Sequence, residues 1–219
     1  MLRRLRRLLR RPAIPTLNSQ DAYANWAASY PPQAHNVLMR TEEAAMRSLL
    51  PDLRARIVLD LACGTGRYGL LAQEQGAALV VGLDNSAAML AAGALQHTAL
   101  ATLEALPLPG NAIDVILCGL ALGHLPRIGP ALAEMGRVLR PGGLALVSDF
   151  HPVMAFSGGQ RTFVAPNGRT YAVEHYPHLY ADYHRAGGEA GLQIVDVIER
   201  GVEGAPSPAP AIIVIAFQR

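Results

Sequence analysis

The sequence of 219 residues contains no lysine, so all nineteen of its basic residues are arginine. Six of these arginines lie within the first eleven positions, which leaves thirteen basic residues against seventeen acidic ones in the rest of the chain. A nucleic-acid groove needs clustered positive charge on the folded surface to bind phosphates. This distribution of charge therefore argues against nucleic acid as a partner.

Cysteine and long apolar segments are also scarce. Cys63 and Cys118 are the only cysteines and lack the spacing of a metal site, so we expect reduced thiols, a cytoplasmic protein and no bound metal. No apolar stretch approaches the length of a transmembrane helix, and none follows the first arginines as it would in a secretory signal. About half of the residues are hydrophobic, which is enough to bury one substantial core.

The first twelve residues, MLRRLRRLLRRP, are predicted to be a basic tail outside the domain, which spans residues 13–219. On a helix, the leucines of this tail would share one side and the arginines the other. A basic amphipathic helix of this kind can rest on anionic lipid. We favour a solvated tail over this membrane contact, because three turns alone form only a marginal helix.

Beyond the tail, predicted strands alternate with predicted helices. The strands are expected at residues 57–61, 78–83, 98–103, 112–119, 144–148, 192–199 and 211–217. A helix from about residue 128 to residue 139 is expected to stop at Pro141-Gly142-Gly143. The alternation predicts an α/β fold with a doubly wound, mostly parallel sheet, and ligands of such sheets bind at the carboxyl ends of the strands.

Two segments are predicted to cover that edge of the sheet. Residues 17–52 would form a helical lid in which Tyr23, Trp26 and Tyr30 share one helical face, with Trp26 packed on the sheet. After the fifth strand, residues 151–176 form an insertion in which segments 161–164 and 169–173 are typical of a β-hairpin. An insertion at the carboxyl edge is expected to shape the substrate pocket.

The stretch VLDLACGTGRYG places Gly64-x-Gly66-x-x-Gly69 between the first predicted strand of the sheet and the following helix. This spacing is typical of a dinucleotide-binding turn, and Asp84, twenty residues after Gly64, could accept hydrogen bonds from ribose hydroxyls. These features alone leave a nicotinamide cofactor and other nucleoside cofactors open. Asp60 argues against nicotinamide, because the strand before the glycines of a nicotinamide enzyme is usually apolar to its end. An acid at the end of a buried apolar strand is also costly without a partner, which favours a role for Asp60 in the site.

Four stretches in order, VLDLACGTGRYG, VGLDNSAAML, LEALPLPGNAIDVI and GRVLRPGGLALVSDF, resemble the motifs of class I S-adenosylmethionine-dependent methyltransferases. The resemblance covers residues 21–217. Within the family, the sequence most resembles the small-molecule branch that is similar to ubiquinone and malonyl-carrier methyltransferases. It implies a seven-stranded Rossmann-like sheet with an antiparallel last strand, S-adenosyl-L-methionine as cofactor and a small-molecule acceptor. An NAD(P)-dependent oxidoreductase and a non-catalytic S-adenosylmethionine-binding protein are the alternative functions. The sequence gives no indication of oligomeric state.

The resemblance also implies roles for particular residues. Asp60 is expected near the methionyl ammonium and Asp84 at the ribose, while Gly64 and Gly66 let the backbone approach the cofactor because a Cβ would fill that space. Met89 is expected beside the adenine, although a core position is equally consistent with its apolar helix face. The full set of predicted cofactor-binding residues is Tyr23, Tyr30, Asp60, Ala62, Gly64, Gly66, Asp84, Asn85, Met89, Leu103, Glu104 and Gly119.

A catalytic base is needed only for some acceptors. A carboxylate, thiol or acidic phenol can accept a methyl group without one, whereas a hydroxyl or amine benefits from a group that removes its proton. Histidine suits this role near neutral pH. His151 follows the fifth predicted strand of the sheet and is the preferred candidate, and His124, after the fourth, is the second.

Overall fold

The computed structural model describes residues 14–204 and 209–219, so the predicted basic tail at residues 1–12 lies outside the described residues. Its strands are β1 Thr16–Leu17, β2 Ile57–Leu61, β3 Leu79–Asp84, β4 Thr98–Leu100, β5 Ile113–Gly119, β6 Leu139–Phe150, β7 Thr162–Val164, β8 Thr170–Val173, β9 Gln193–Arg200 and β10 Ile212–Gln218. Its α-helices are α1 Ser19–Trp26, α2 Val37–Ser48, α3 Arg67–Glu74, α4 Ala87–Ala92, α5 Gly129–Val138, α6 Pro152–Phe156 and α7 Tyr180–Glu189. No helix among the described residues is long and apolar enough to cross a membrane.

Seven of the strands form one sheet in the order β4-β3-β2-β5-β6-β10-β9. The pairs from β4 to β6 are all parallel, because a helix or loop crossing returns the chain to the same end of the sheet each time. The last strand, β10, is antiparallel to both of its neighbours, β6 and β9. The predicted mostly parallel sheet with an antiparallel last strand is confirmed, and that strand lies inside the sheet rather than at its edge.

Helices cover both faces of this sheet. Successive residues of β5 alternate between two hydrophobic clusters, with Ile116 and Cys118 in one and Val115 and Leu117 in the other. The first cluster contains side chains from α5 and α7, and the second contains side chains from α2 and α3. Because both faces are buried, the central strands are mostly apolar, and such short apolar runs can be recognised in the sequence.

Two strands differ from their predicted bounds by more than one residue. β6 was expected at residues 144–148 and begins five residues earlier, directly after α5, with a register shift against β5 between Ile113 and Val115. The Pro141-Gly142-Gly143 segment therefore lies within an irregular part of the strand, where Gly142 takes a positive φ of 78°. β4 ends at Leu100, three residues before its predicted end.

The insertion contains the predicted hairpin, formed by the antiparallel strands β7 and β8. An additional strand, β1, pairs parallel with β8 and joins the start of the lid to the insertion in a small three-stranded sheet. Trp26 at the end of α1 stacks on Phe163 of β7 with ring centroids 4.9 Å apart. The lid thus packs on the insertion, whereas we expected Trp26 to pack on the seven-stranded sheet.

Candidate functional site

A cleft lies at the carboxyl ends of β2, β3 and β5, beneath α1 and against the first residues of the insertion hairpin. Its empty space is about 930 Å³, including the open mouth. The sequence-predicted residues that line it are Tyr23, Tyr30, Asp60, Ala62, Gly64, Asp84, Asn85, Met89, Leu103, Gly119 and His124. This is the edge at which ligands of parallel sheets bind.

Asp84 ends β3 and fixes the glycine loop that follows β2. Its Oδ2 accepts a hydrogen bond of 2.8 Å from the amide of Gly64, and its Oδ1 accepts one of 2.8 Å from the amide of Ser86. Burial raises the pKa of the Asp84 carboxyl against the opposing effect of these hydrogen bonds. The carboxylate is therefore held in one orientation in the wall of the cleft, and each oxygen retains a lone pair for a ligand hydroxyl.

Asp60, in β2, is 2% exposed and accepts a hydrogen bond of 2.6 Å from the amide of Gly69. Burial raises the pKa of its carboxyl to about 7, and the positive charge of Arg67 offsets this only in part. A carboxyl with this pKa is half-ionised at neutral pH, and a bound cation would favour its charged form. The position suits a ligand ammonium group.

The two glycines predicted to admit the cofactor differ in what surrounds them. Gly64 lines the cleft with a positive φ of 55°, and an added Cβ would lie 3.0 Å from Cε of Met89. Gly66 does not line the cleft; it is the N-cap of α3 with φ of 96°, and an added Cβ would lie 2.7 Å from Cγ of Leu95. Gly66 is therefore required by packing of the loop rather than by room for a ligand.

Two non-glycine residues at the ends of neighbouring strands adopt left-handed backbone. Ala62 after β2 has φ of 57° and Leu120 after β5 has φ of 56°, and both line the cleft. The amide of Leu120 is held by the carbonyl oxygen and the Oγ of Ser148, at 2.9 and 3.0 Å. Such conformations cost about 1–3 kcal/mol and persist only where surrounding contacts enforce them.

A buried carboxylate behind the cleft was not predicted from the sequence. Glu42 of α2 is 0% exposed and accepts hydrogen bonds from Arg67 Nη1 at 2.7 Å, from the Tyr68 hydroxyl at 2.5 Å and from Ser148 Oγ at 2.5 Å. Arg67 and Tyr68 also line the cleft. This network connects the helical lid, the glycine loop helix and β6.

His124 lines the cleft in a fixed protonation state. Its Nδ1 lies 3.0 Å from the carbonyl oxygen of Glu174, which can only accept, so Nδ1 carries the proton. Its Nε2 therefore accepts from Nη1 of Arg161 at 2.7 Å and faces the hydroxyl of Tyr23 at 3.2 Å. Burial, reinforced by the positive charge of Arg161, lowers the pKa of His124 to about 3. A neutral imidazole with an occupied lone pair is a poor general base at neutral pH.

His151 and Glu104 are not among the residues that line the cleft. His151 caps α6 by accepting from the amide of Val153 at 3.2 Å, and its Nε2 lies 3.0 Å from Oε1 of Glu199. Both ring nitrogens are thus used in local contacts away from the cleft, so the geometry does not support its predicted role as a base. Glu104 is exposed. Arg161, predicted only as the start of the hairpin, does line the cleft.

The fold and the cleft together define a Rossmann-like domain for a nucleoside-containing cofactor. A family model described as "Methyltransferase domain" matches residues 59–147. The malonyl-[acyl-carrier protein] O-methyltransferase of Enterobacter lignolyticus is 34% identical over 136 residues, which cover 60% of this chain and 54% of the relative. A ubiquinone/menaquinone biosynthesis C-methyltransferase of Methylobacterium nodulans is 35% identical over 158 residues, covering 66% of this chain and 60% of the relative. The chain spans about half the length of the first of these relatives.

Solved structures share the fold. An S-adenosylmethionine-dependent methyltransferase from Mesorhizobium loti aligns with a TM-score of 0.71 at 21% identity, covering 84% of this chain and all of that chain. A putative methyltransferase of the same kind from Listeria monocytogenes aligns with a TM-score of 0.68 at 23% identity, covering 82% of this chain and 97% of that chain.

This chain belongs to the class I S-adenosylmethionine-dependent methyltransferase family. The cofactor that the family implies is S-adenosyl-L-methionine, as the sequence motifs predicted, and not a nicotinamide nucleotide.

Proposed function

We propose that this protein transfers a methyl group from S-adenosyl-L-methionine to a small-molecule acceptor. The observation that carries the proposal is the pair of acids, buried Asp60 and half-buried Asp84, on the neighbouring strands β2 and β3, with the glycine loop between them. Asp60 suits the methionyl ammonium, and Asp84 can accept hydrogen bonds from both ribose hydroxyls.

The remaining walls of the cleft fit the other parts of this cofactor. Met89, Ala101 and Leu103 provide an apolar surface for the adenine, and the exposed amide of Asn85 lies at its edge. Gly119 and Leu120 at the end of β5 would border the methionyl portion. The cofactor supplies an electrophilic methyl group bound to a sulfonium.

The lid and the insertion provide the surroundings of the acceptor. Tyr23 from α1, His124 and Arg161 form one connected group on the acceptor side of the cleft. Burial raises the pKa of the Tyr23 phenol, so this side chain stays neutral and can donate a hydrogen bond. Positioning of two reactants by such groups can lower a barrier by about 7–11 kcal/mol in favourable cases, without a base.

Two measurements test this function. In isothermal titration, S-adenosylmethionine and S-adenosylhomocysteine should bind and NADH should not, whereas binding of NADH alone would contradict the cofactor assignment. Mass spectrometry should then detect S-adenosylhomocysteine and a methylated product when the protein is mixed with S-adenosylmethionine and a panel of metabolites. The acceptors to test first are malonyl-[acyl-carrier protein] and intermediates of ubiquinone or menaquinone biosynthesis, because the two relatives above carry these names. Cofactor binding with no product from a broad panel would favour a non-catalytic binding protein.

A further inference from the structure

A second cavity adjoins the cleft on the side of the lid and the insertion. Tyr30, Leu120 and Arg161 line both spaces and so form the junction between them. The second cavity holds about 760 Å³ of empty space, including its open mouth. A molecule bound there would have one end at the junction, next to the residues that border the methionyl portion of the cofactor.

The walls of the second cavity are mostly apolar and aromatic. They include Trp26, Leu38, Met39 and Phe150, with a few uncharged polar side chains at residues 36, 160 and 162. Among the described residues that line it, Arg161 is the only one with a charged side chain. The cavity therefore combines a surface for an apolar molecular body with a single positive charge at its inner end.

Arg161 is held in place while part of its guanidinium group stays available. Nη1 donates to the carbonyl oxygen of Leu120 at 2.8 Å and to Nε2 of His124 at 2.7 Å, which uses both of its N–H groups. The guanidinium also lies over the Phe150 ring, 5.0 Å from its centroid. Within the part of the chain that the structure describes, no carboxylate oxygen forms a salt bridge with Arg161. The Nε and Nη2 edge is the donor pair that a carboxylate binds in bidentate fashion.

We infer that the second cavity is the acceptor site, and that the acceptor is an organic carboxylate with an apolar body, bound through its carboxylate to Arg161. The inference rests on the proposed function and adds the chemical class of the acceptor. It agrees with the chemistry of the junction, where Tyr23 is a neutral phenol and the lone pair of His124 is occupied. A carboxylate is already ionised at neutral pH, so no protein group has to remove a proton from it.

Binding of matched acids and amides tests this assignment without requiring turnover. The probes are 4-phenylbutyrate and octanoate, each compared with its primary amide, and their affinities are measured with saturating S-adenosylhomocysteine present. The wild-type protein should bind each acid about tenfold or more tightly than its amide, because only the acid forms a charge-assisted pair with Arg161. Arg161→Gln should bring the ratio of the two affinities close to one.

Two further variants serve as controls. Arg169→Gln removes the same charge from the same hairpin, at an exposed residue that lines neither cavity, and should leave the preference for acids unchanged. Val37→Trp places a large side chain at an exposed residue of the second cavity only, and should weaken both acids about tenfold while the affinity for S-adenosylhomocysteine stays within about twofold. Val37→Trp also tests the site if Arg161→Gln fails to fold.

Equal binding of acid and amide to the wild-type protein, or no binding of either acid, would overturn the inference. A preference for acids that persists in Arg161→Gln would overturn it as well. Failure of S-adenosylhomocysteine to bind would instead contradict the proposed function, and the acids would then be compared with the amides on the free protein.

Discussion

Oγ of Ser148 on β6 donates a hydrogen bond of 2.5 Å to the fully buried carboxylate of Glu42 on α2, across 106 positions of sequence. The same serine oxygen accepts from the amide of Leu120, the left-handed residue at the junction of the two cavities. Glu42 also pairs with Arg67 in the wall of the cleft. A single carboxylate on the lid thus fixes both the glycine loop helix and the end of β5.

Glu42→Gln should destabilise the protein by about 2–4 kcal/mol, because it leaves the largely buried Arg67 without its closest counter-charge. The amide keeps the shape of the side chain but cannot accept from all three donors in the same way. Urea denaturation followed by circular dichroism measures the change in the free energy of unfolding.

Glu43→Gln is the matched control for this prediction. Glu43 is the next residue on the same helix, with a side chain 20% exposed, and it pairs with Arg47 and more distantly with Arg67. Partly exposed pairs contribute about 0–1 kcal/mol, so this variant should be much less destabilised than Glu42→Gln. Equal effects of the two substitutions would show that the buried network has no special role.

Asp84→Ala should weaken binding of S-adenosylhomocysteine by about 2–4 kcal/mol, since the variant loses the acceptors proposed for both ribose hydroxyls and the hydrogen bond that fixes Gly64. Isothermal titration gives the affinity. Asp114→Ala is the control, because Asp114 accepts from the amide of Ile57 at the start of β2, far along the strand from the cleft. Unchanged affinity in Asp84→Ala would remove this residue from the site.

Much of the fold could be predicted because its signals are local. The central strands are short apolar runs, because helices cover both faces of the sheet. The loop after β2 needs left-handed backbone at Gly64 and Gly66, which favours glycine and so leaves a recognisable spacing in the sequence. Local patterns also predicted that Asp60 and Asp84 lie at the carboxyl-end edge of the sheet, since the ends of parallel strands meet there.

The features that were missed depend on contacts between distant segments. Arg161 reaches His124 across 37 positions of sequence, and nothing in its immediate neighbours indicates that contact. In the sequence, Glu42 is one of several charged residues on an amphipathic helix. Only the packing of α2 against β6 shows that this carboxylate is buried and bonded to Ser148. His151 was favoured because it follows a strand end, yet its ring turns to Val153 and Glu199 instead of the cleft.

Asp60→Asn should change how stability depends on pH. The folded protein raises the pKa of Asp60 from its ordinary value of 3.8 to about 7, so between these values the folded state binds a proton that the unfolded chain has released. Stability therefore falls as the pH rises through this window, by up to about 4 kcal/mol from this group. The asparagine variant should lose less stability than the wild type between pH 4 and pH 8, as measured by urea denaturation at each pH.

Asp114→Asn should change the pH dependence of stability in the opposite direction, so it serves as the comparison for Asp60→Asn. Hydrogen bonds from Ile57 and Arg140 lower the pKa of Asp114 despite its partial burial, so this carboxylate stabilises the folded state above its ordinary pKa and loses that effect as the pH falls. Its replacement should reduce stability at pH 8 more than at pH 4. Parallel pH profiles for wild type and Asp60→Asn would mean that Asp60 does not carry a raised pKa.

The roles of the two histidines can be separated once an acceptor is known. His151→Asn keeps a residue that can cap α6, so cofactor affinity and turnover should stay within about threefold of wild type.

His124→Ala removes the ring nitrogen that accepts a hydrogen bond from Arg161 and orients it. The variant should raise the KM for the methyl acceptor about tenfold with a smaller change in kcat. The pKa of His124 is about 3, so this histidine is neutral throughout the range from pH 5 to pH 9. The variant and the wild type should therefore show pH–rate profiles of the same shape. If His124→Ala abolishes a limb of the profile centred near pH 6 or 7, His124 is a general base rather than a positioning residue.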